Sequence, residues 1–247
     1  MEEYVNELFA RIYPHSIIFE NRYISNYQYF IGKNRYEIDG IITDIKSVVF
    51  MEIKNVLIRK SNINTDKPKL YLESIDQKYG VTDKNGIKGI GQIKRIIDNY
   101  IDGRINTIQK LEFIYSILVV NDSLITAPIV YKYLNERYFA KFEHGEMLDN
   151  GLLLYREHTI YPLLIINVRE LELMERTISE KGLINIMNGF FEYNKTGNES
   201  LRNYMHDKNI GIYTNSYLAK IGYDTIISMG TEIFPEIIAQ IRKEKNL

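Results

Sequence analysis

The chain has 247 residues, of which 45% are hydrophobic and 26% charged, with a formal net charge of −1. So large an apolar share with so little net charge excludes a disordered chain, and it makes any basic surface a local one, which counts against a broadly cationic nucleic-acid coat. The absence of cysteine excludes disulfides, thiolate zinc sites and cysteine nucleophiles.

No apolar run approaches the roughly 20 residues of a membrane span. The opening MEEYVNELFARIYPHS is acidic and amphipathic, unlike a signal peptide. A soluble cytoplasmic protein with no membrane partner is therefore expected. In chain order, Tyr4, Val5, Leu8, Phe9 and Ile12 have helical spacing, and Pro14 ends that helix. Residues 17–31 read as a short strand and loop. Residues 36–56, YEIDGIITDIKSVVFMEIKNV, read as a β-hairpin. The polar stretch from Arg59 to Gly86, with Pro68 inside it, reads as a long connection.

Ile87, Ile90, Ile93, Ile96, Ile97, Tyr100 and Ile101 form one stripe of an amphipathic helix closed by Gly103. LEFIYSILVV and TIYPLLIINV read as buried strands. A helix is expected after Pro128. From Glu170 onward the pattern is helical, including TEIFPEIIAQIRKEK near the end. The expected fold is α/β with a central mixed sheet. The expected division is a core over 1–168 and a mostly helical region over 169–247, either packed on the core or separate.

The hairpin carries charge where more Ile and Val would serve a strand. With residues 44–47 as a four-residue loop, Thr43 faces Val48, Asp39 faces Glu52 and Glu37 faces Lys54. All four then share one face, with the Cβ atoms of facing residues roughly 4.5–5.5 Å apart. Two carboxylates that close repel, and a hard divalent cation would offset the repulsion. A solvent-facing strand surface with a Glu37–Lys54 ion pair is the plain alternative.

These residues, Asp39 followed after twelve positions by Glu52-Ile53-Lys54, on a hairpin preceded by a helix, resemble the PD-(D/E)XK nuclease superfamily, the restriction-endonuclease-like fold. The resemblance covers about the first half of the chain, where the elements come in the family's order αβββαβ. Ile38 stands where many members carry proline. The resemblance implies a restriction-endonuclease-like core, with Mg²⁺ or Mn²⁺ held by Asp39, Glu52 and the carbonyl of Ile53, and with Lys54 handling the attacking water. It also implies hydrolysis of phosphodiester bonds, with DNA as the expected substrate, and a role in restriction or phage defence. A helix acid often completes such a site; Glu7 is chosen here, with Glu3 as its rival. Gln92 would touch a phosphate or a water, and Lys88, Lys94 and Arg95 would meet the nucleic-acid backbone. A homodimer would place two sites on two strands. The alternative is a nuclease-like module without catalysis that binds nucleic acid or a protein partner.

The remaining candidates are structural. His15, His144, His158 and His206 lack metal-site spacing, Asp44 stabilises the turn, and Asn121-Asp122-Ser123 ends a strand and caps a helix.

Overall fold

Three apolar runs, SVVFMEIK, FIYSILVV and HTIYPLLIIN, form the middle of a sheet covered on both faces, which is why they do not alternate with polar residues. The computed structural model describes residues 1–13, 22–58, 68–80, 88–105, 108, 111–139, 146–147, 152–195 and 198–211. Its elements are α1 (Glu2–Ile12), β1 (Arg22–Ile31), β2 (Asn34–Thr43), β3 (Ser47–Lys54), α2 (Pro68–Tyr79), α3 (Ile90–Ile101), β4 (Phe113–Val120) and α4 (Pro128–Leu134). They continue with β5 (Glu146–Met147), β6 (Leu153–Tyr155), β7 (His158–Asn167), α5 (Val168–Lys181), α6 (Leu183–Tyr193) and α7 (Leu201–Asp207). A π-helical turn, Asn135–Phe139, extends α4. The sheet has seven strands in the order β1-β2-β3-β4-β7-β6-β5. β4 lies parallel to β3 and to β7, and the other pairs are antiparallel. The fold is thus α/β with a central mixed sheet, as expected.

Helices cover both faces. Phe50 meets Tyr100 of α3 edge-on, at 5.5 Å between ring centres. The neighbouring positions point the other way: Tyr115 reaches Asn188 of α6 at 2.8 Å, and Tyr23 stacks on Phe9 of α1. α1, α5 and α6 therefore share the face opposite α3. The stripe Val5, Leu8, Phe9 and Ile12 is the buried side of α1. On its flank, Tyr4 donates to Glu172 at 2.8 Å and Arg11 to Glu175 at 3.2 Å, which fastens α5 to α1. α5 and α6 thus lie on this side of the sheet, and α5 starts directly at the end of β7. Asn167 caps it by accepting from the Arg169 N–H at 2.9 Å.

Three expectations require correction. The connection after the hairpin contains α2, whose buried stripe is narrow, with Ile75 and Tyr79 one turn apart among polar residues. So little apolar periodicity reads as a loop until tertiary contacts are seen, here Tyr79 donating to the Val56 carbonyl at 2.5 Å. The short strand expected within 17–31 is instead ten residues long from Arg22. Asp122 also differs from its expected role. Instead of capping a helix, it is buried and accepts from the N–H groups of Ile58, at 2.9 Å, and Leu124, at 3.0 Å, tying the exit of β3 to the end of β4. The terminal helix expected within 231–245, with His15 and His144, lies outside the described residues.

α3 begins at Gly89, where φ is +51° and a Cβ would sit 2.6 Å from the Tyr79 carbonyl oxygen. Only glycine fits both constraints. Gly89→Ala is expected to destabilise the protein by about 1–3 kcal/mol, read as a lower urea midpoint at unchanged slope.

Candidate active site

The site begins where the sheet stops pairing. Asp44 closes the β2–β3 turn by accepting from the N–H groups of Lys46, at 3.0 Å, and Ser47, at 2.9 Å. The ladder then runs from Thr43–Val48 to Gly40–Met51, the register expected from the loop assignment. The next rung would be Asp39–Glu52, but the Asp39 carboxylate takes its place by accepting from the Ile53 N–H at 2.6 Å. Residues 47, 49, 51 and 53 all direct their backbone groups toward β2. In an extended strand the N–H and C=O of one residue share an edge, so the Ile53 carbonyl opens into the same gap as Asp39.

β1 breaks at the same level. Its pairing with β2 includes Ser25–Gly40 and Tyr27–Ile38 but skips Asn26–Asp39, and Asn26 has φ +49°. Tyr23 and Tyr29 would share a face in a regular strand. Here Tyr23 hydrogen-bonds Asn6 of α1, whereas Tyr29 is close to Arg95 and Asn99 of α3. The β1–β2 ribbon therefore twists strongly about Asp39.

Glu52 is fully buried beside this gap. One of its oxygens holds the ammonium of Lys54, which is two residues along the same strand and so on the same side. The other, Oε2, is buried without a hydrogen-bond partner. Burial first, then the neighbouring Asp39 carboxylate, push Glu52 up to about 8, against the pull of Lys54. Asp39 is also raised, chiefly by burial, although the Ile53 N–H and Lys54 favour its charged form. A buried carboxyl oxygen with nothing to bind is costly, and a cation would satisfy it. Two carboxylates and the Ile53 carbonyl are donors of the hard-oxygen kind that Mg²⁺ or Mn²⁺ accepts. Among the described residues, no group of three or more His, Cys, Asp or Glu side chains is gathered tightly enough to hold a metal alone.

Asp39, Glu52, Ile53 and Lys54 are thus brought together, but the other candidates are not. Glu7 is exposed and lies between Tyr4 and Arg11 on α1, the flank that meets α5. The α1 acid whose charge reaches both Asp39 and Glu52 is Glu2. Helical periodicity shows where the stripe lies but not which flank faces the gap, so it could not separate Glu2 from Glu7. Glu3, the rival, is exposed. Gln92 turns back to accept from the Gly89 N–H at 3.0 Å and so caps its own helix. Arg95 lies over the Tyr36 ring at 4.6 Å, Lys94 is half-buried, and Lys88 is exposed just before α3. Glu37 pairs with Arg35 at 3.5 Å rather than with Lys54, because the strands have already parted. Sequence reading also missed Tyr23 and Asn6. Burial, then the charges of Asp39 and Glu2, raise the Tyr23 hydroxyl.

Comparison of the chain with protein families, with curated proteins and with solved structures finds no match.

The raised Glu52 fixes the sign of a pH dependence. Its native pKa of about 8 lies above the unfolded value of about 4.3. Between these values the native state keeps a proton that the unfolded chain has lost. The stabilisation is therefore complete below the lower value and is lost as pH rises toward the upper one. In metal-free buffer the urea midpoint is expected to fall across this interval, and less steeply in Glu52→Gln. An equal fall in the variant would show that other groups carry the dependence.

Proposed function

We propose that the chain is a divalent-cation-dependent nuclease that hydrolyses phosphodiester bonds of nucleic acid, with DNA as the substrate to test first. The observation that carries this reading is the fully buried Glu52, with an unpartnered oxygen, beside an Asp39 that has displaced a rung of its own sheet. Lys54 offsets part of the repulsion between these two acids, and a cation on the free Glu52 oxygen would offset the rest. The element order supports the reading: α1, the meander β1-β2-β3, then helices and β4 parallel to β3 follow the αβββαβ order of the family that the motif resembles.

Asp39, Glu52 and the Ile53 carbonyl would hold the cation. Bound there, it supplies Lewis-acid polarisation of a phosphoryl oxygen and neutralises phosphate charge. Lys54, 22% exposed at its side chain, lies between the acids and solvent. It can orient the attacking water and offset charge developing on the phosphate. Among the described residues no helix is long and apolar enough to cross a membrane. The second reading, a nuclease-like module that binds nucleic acid or a protein partner without cleaving, is favoured by one observation: among the described residues the acids in the gap are a pair, not a cluster of three.

With Mg²⁺ or Mn²⁺, the protein is expected to cleave linear, circular, single-stranded or branched DNA. Asp39→Asn and Lys54→Ala should each reduce the rate about a hundredfold or more. Mg²⁺ should also raise the melting temperature of the wild type and not that of Asp39→Asn. Metal-independent binding with no cleavage of any of these substrates would support the second reading.

A further inference from the structure

Beyond Asp39 the β1–β2 ribbon runs on without β3, because the β2–β3 ladder ends at Gly40–Met51 while β1 and β2 continue to pair out to Ile31–Asn34. One side of this outer ribbon is docked. Tyr29 and Tyr36 stack on each other at 5.4 Å, and Arg95 of α3 lies over Tyr36. The other side is open. On it, Phe30 is paired directly across the strands with Arg35, and Gln28 with Glu37. Phe30 is 62% exposed, and Lys33 is exposed in the turn. Among the described residues Arg35 pairs with Glu37 at 3.5 Å, an exposed pair of small worth.

On the basis of the proposed function, we infer that this open side of the ribbon is a platform for an unpaired nucleic-acid strand, which it leads into the Asp39 gap. Phe30 offers a π-face on which any base can stack, Arg35 and Lys33 offer cations to the phosphates, and Gln28 offers an amide. The platform is continuous with the acids. Glu37 and Asp39 are alternate residues of β2, and the charge of Glu37 reaches Asp39. The Phe30–Arg35 rung is four residues from Asp39, about 13 Å along the strand, a span of a few nucleotides. A single strand fits better than a duplex groove, because a ribbon with one side held against α3 presents a flat surface rather than a free two-sided arm.

The test uses the full chain in EDTA, with fluorescence anisotropy on a labelled oligothymidine of about 20 nucleotides and on a duplex of equal length. The single strand is expected to bind more tightly. Phe30→Ala and Arg35→Ala should each weaken that binding about tenfold, and Arg35→Ala should lower the slope of log affinity against log salt by about 0.7. Both residues are exposed, so the variants should melt at the wild-type temperature. Unchanged single-strand affinity in both variants overturns the inference, and so does a preference for duplex that neither variant alters. Mg²⁺-dependent cleavage measured alongside separates the two claims. Cleavage without any effect of Phe30 or Arg35 on binding removes the platform alone. Binding through Phe30 without cleavage removes the nuclease reading alone.

Discussion

The structure depends on one substitution of partners. At Asp39 a side-chain carboxylate accepts the Ile53 N–H that a backbone carbonyl of β2 would otherwise take. A sheet tolerates the loss of a rung only if its backbone groups find other partners, and this carboxylate meets that condition for Ile53. The exchange lets β2 leave β3 without orphaning a buried donor. It leaves a gap between the diverging ends of β2 and β3 and places Asp39 beside it. The skipped Asn26–Asp39 rung and the positive φ of Asn26 belong to the same event, because a ribbon that turns away from its sheet must twist and shed pairing on both sides.

The surroundings hold the gap open. α1 and α3 cover opposite faces, with Phe9 against Tyr23 and Tyr100 against Phe50. Gly40 lies at the last rung, close under the Met51 and Tyr23 side chains, where an added Cβ would lie 2.9–3.0 Å from their ends. Below the gap, Asp122 binds the Ile58 N–H and Tyr79 the Val56 carbonyl, so the segment leaving β3 is fixed to β4 and α2. A cluster of side chains with perturbed protonation needs such support, since repulsion between buried carboxylates would otherwise push the strands further apart.

Much of this was legible in the sequence for a simple reason. The three central strands are buried on both sides and read as unbroken apolar runs, and the short Asp44 turn fixes one register, so the proximity of Asp39, Glu52 and Lys54 follows from counting. Features decided by tertiary contacts were not legible. The stripe of α2 is too narrow to announce a helix. The choice between Glu2 and Glu7 depends on how α1 is rotated, and α5 sets that through Glu172 and Glu175. Gln92 sits at the edge of an apolar stripe, where a capping residue and a site residue look alike, and its three-residue spacing from Gly89 is the signal that favours the cap. Counting opposed residues also implied a Glu37–Lys54 pair, which fails because the strands part before reaching it.

The charge distribution connects the two proposals. The gap gathers Asp39 and Glu52, with Glu2 close enough to be felt, against Lys54 alone. A polyanion approaching these groups directly meets net repulsion. Arg35 and Lys33 stand further out on the same ribbon, beside the exposed Phe30 ring, where the proposed platform would hold a strand before it reaches the acids. On the proposed function, a cation in the gap would reverse the local sign, and a phosphate could then move in from the ribbon. The two proposals thus assign binding to the outer β1–β2 ribbon and chemistry to Asp39 of β2 with Glu52 and Lys54 of β3. The twist at Asp39 makes this division possible, because it lets the outer ribbon rest on α3 while the inner ribbon remains part of the sheet.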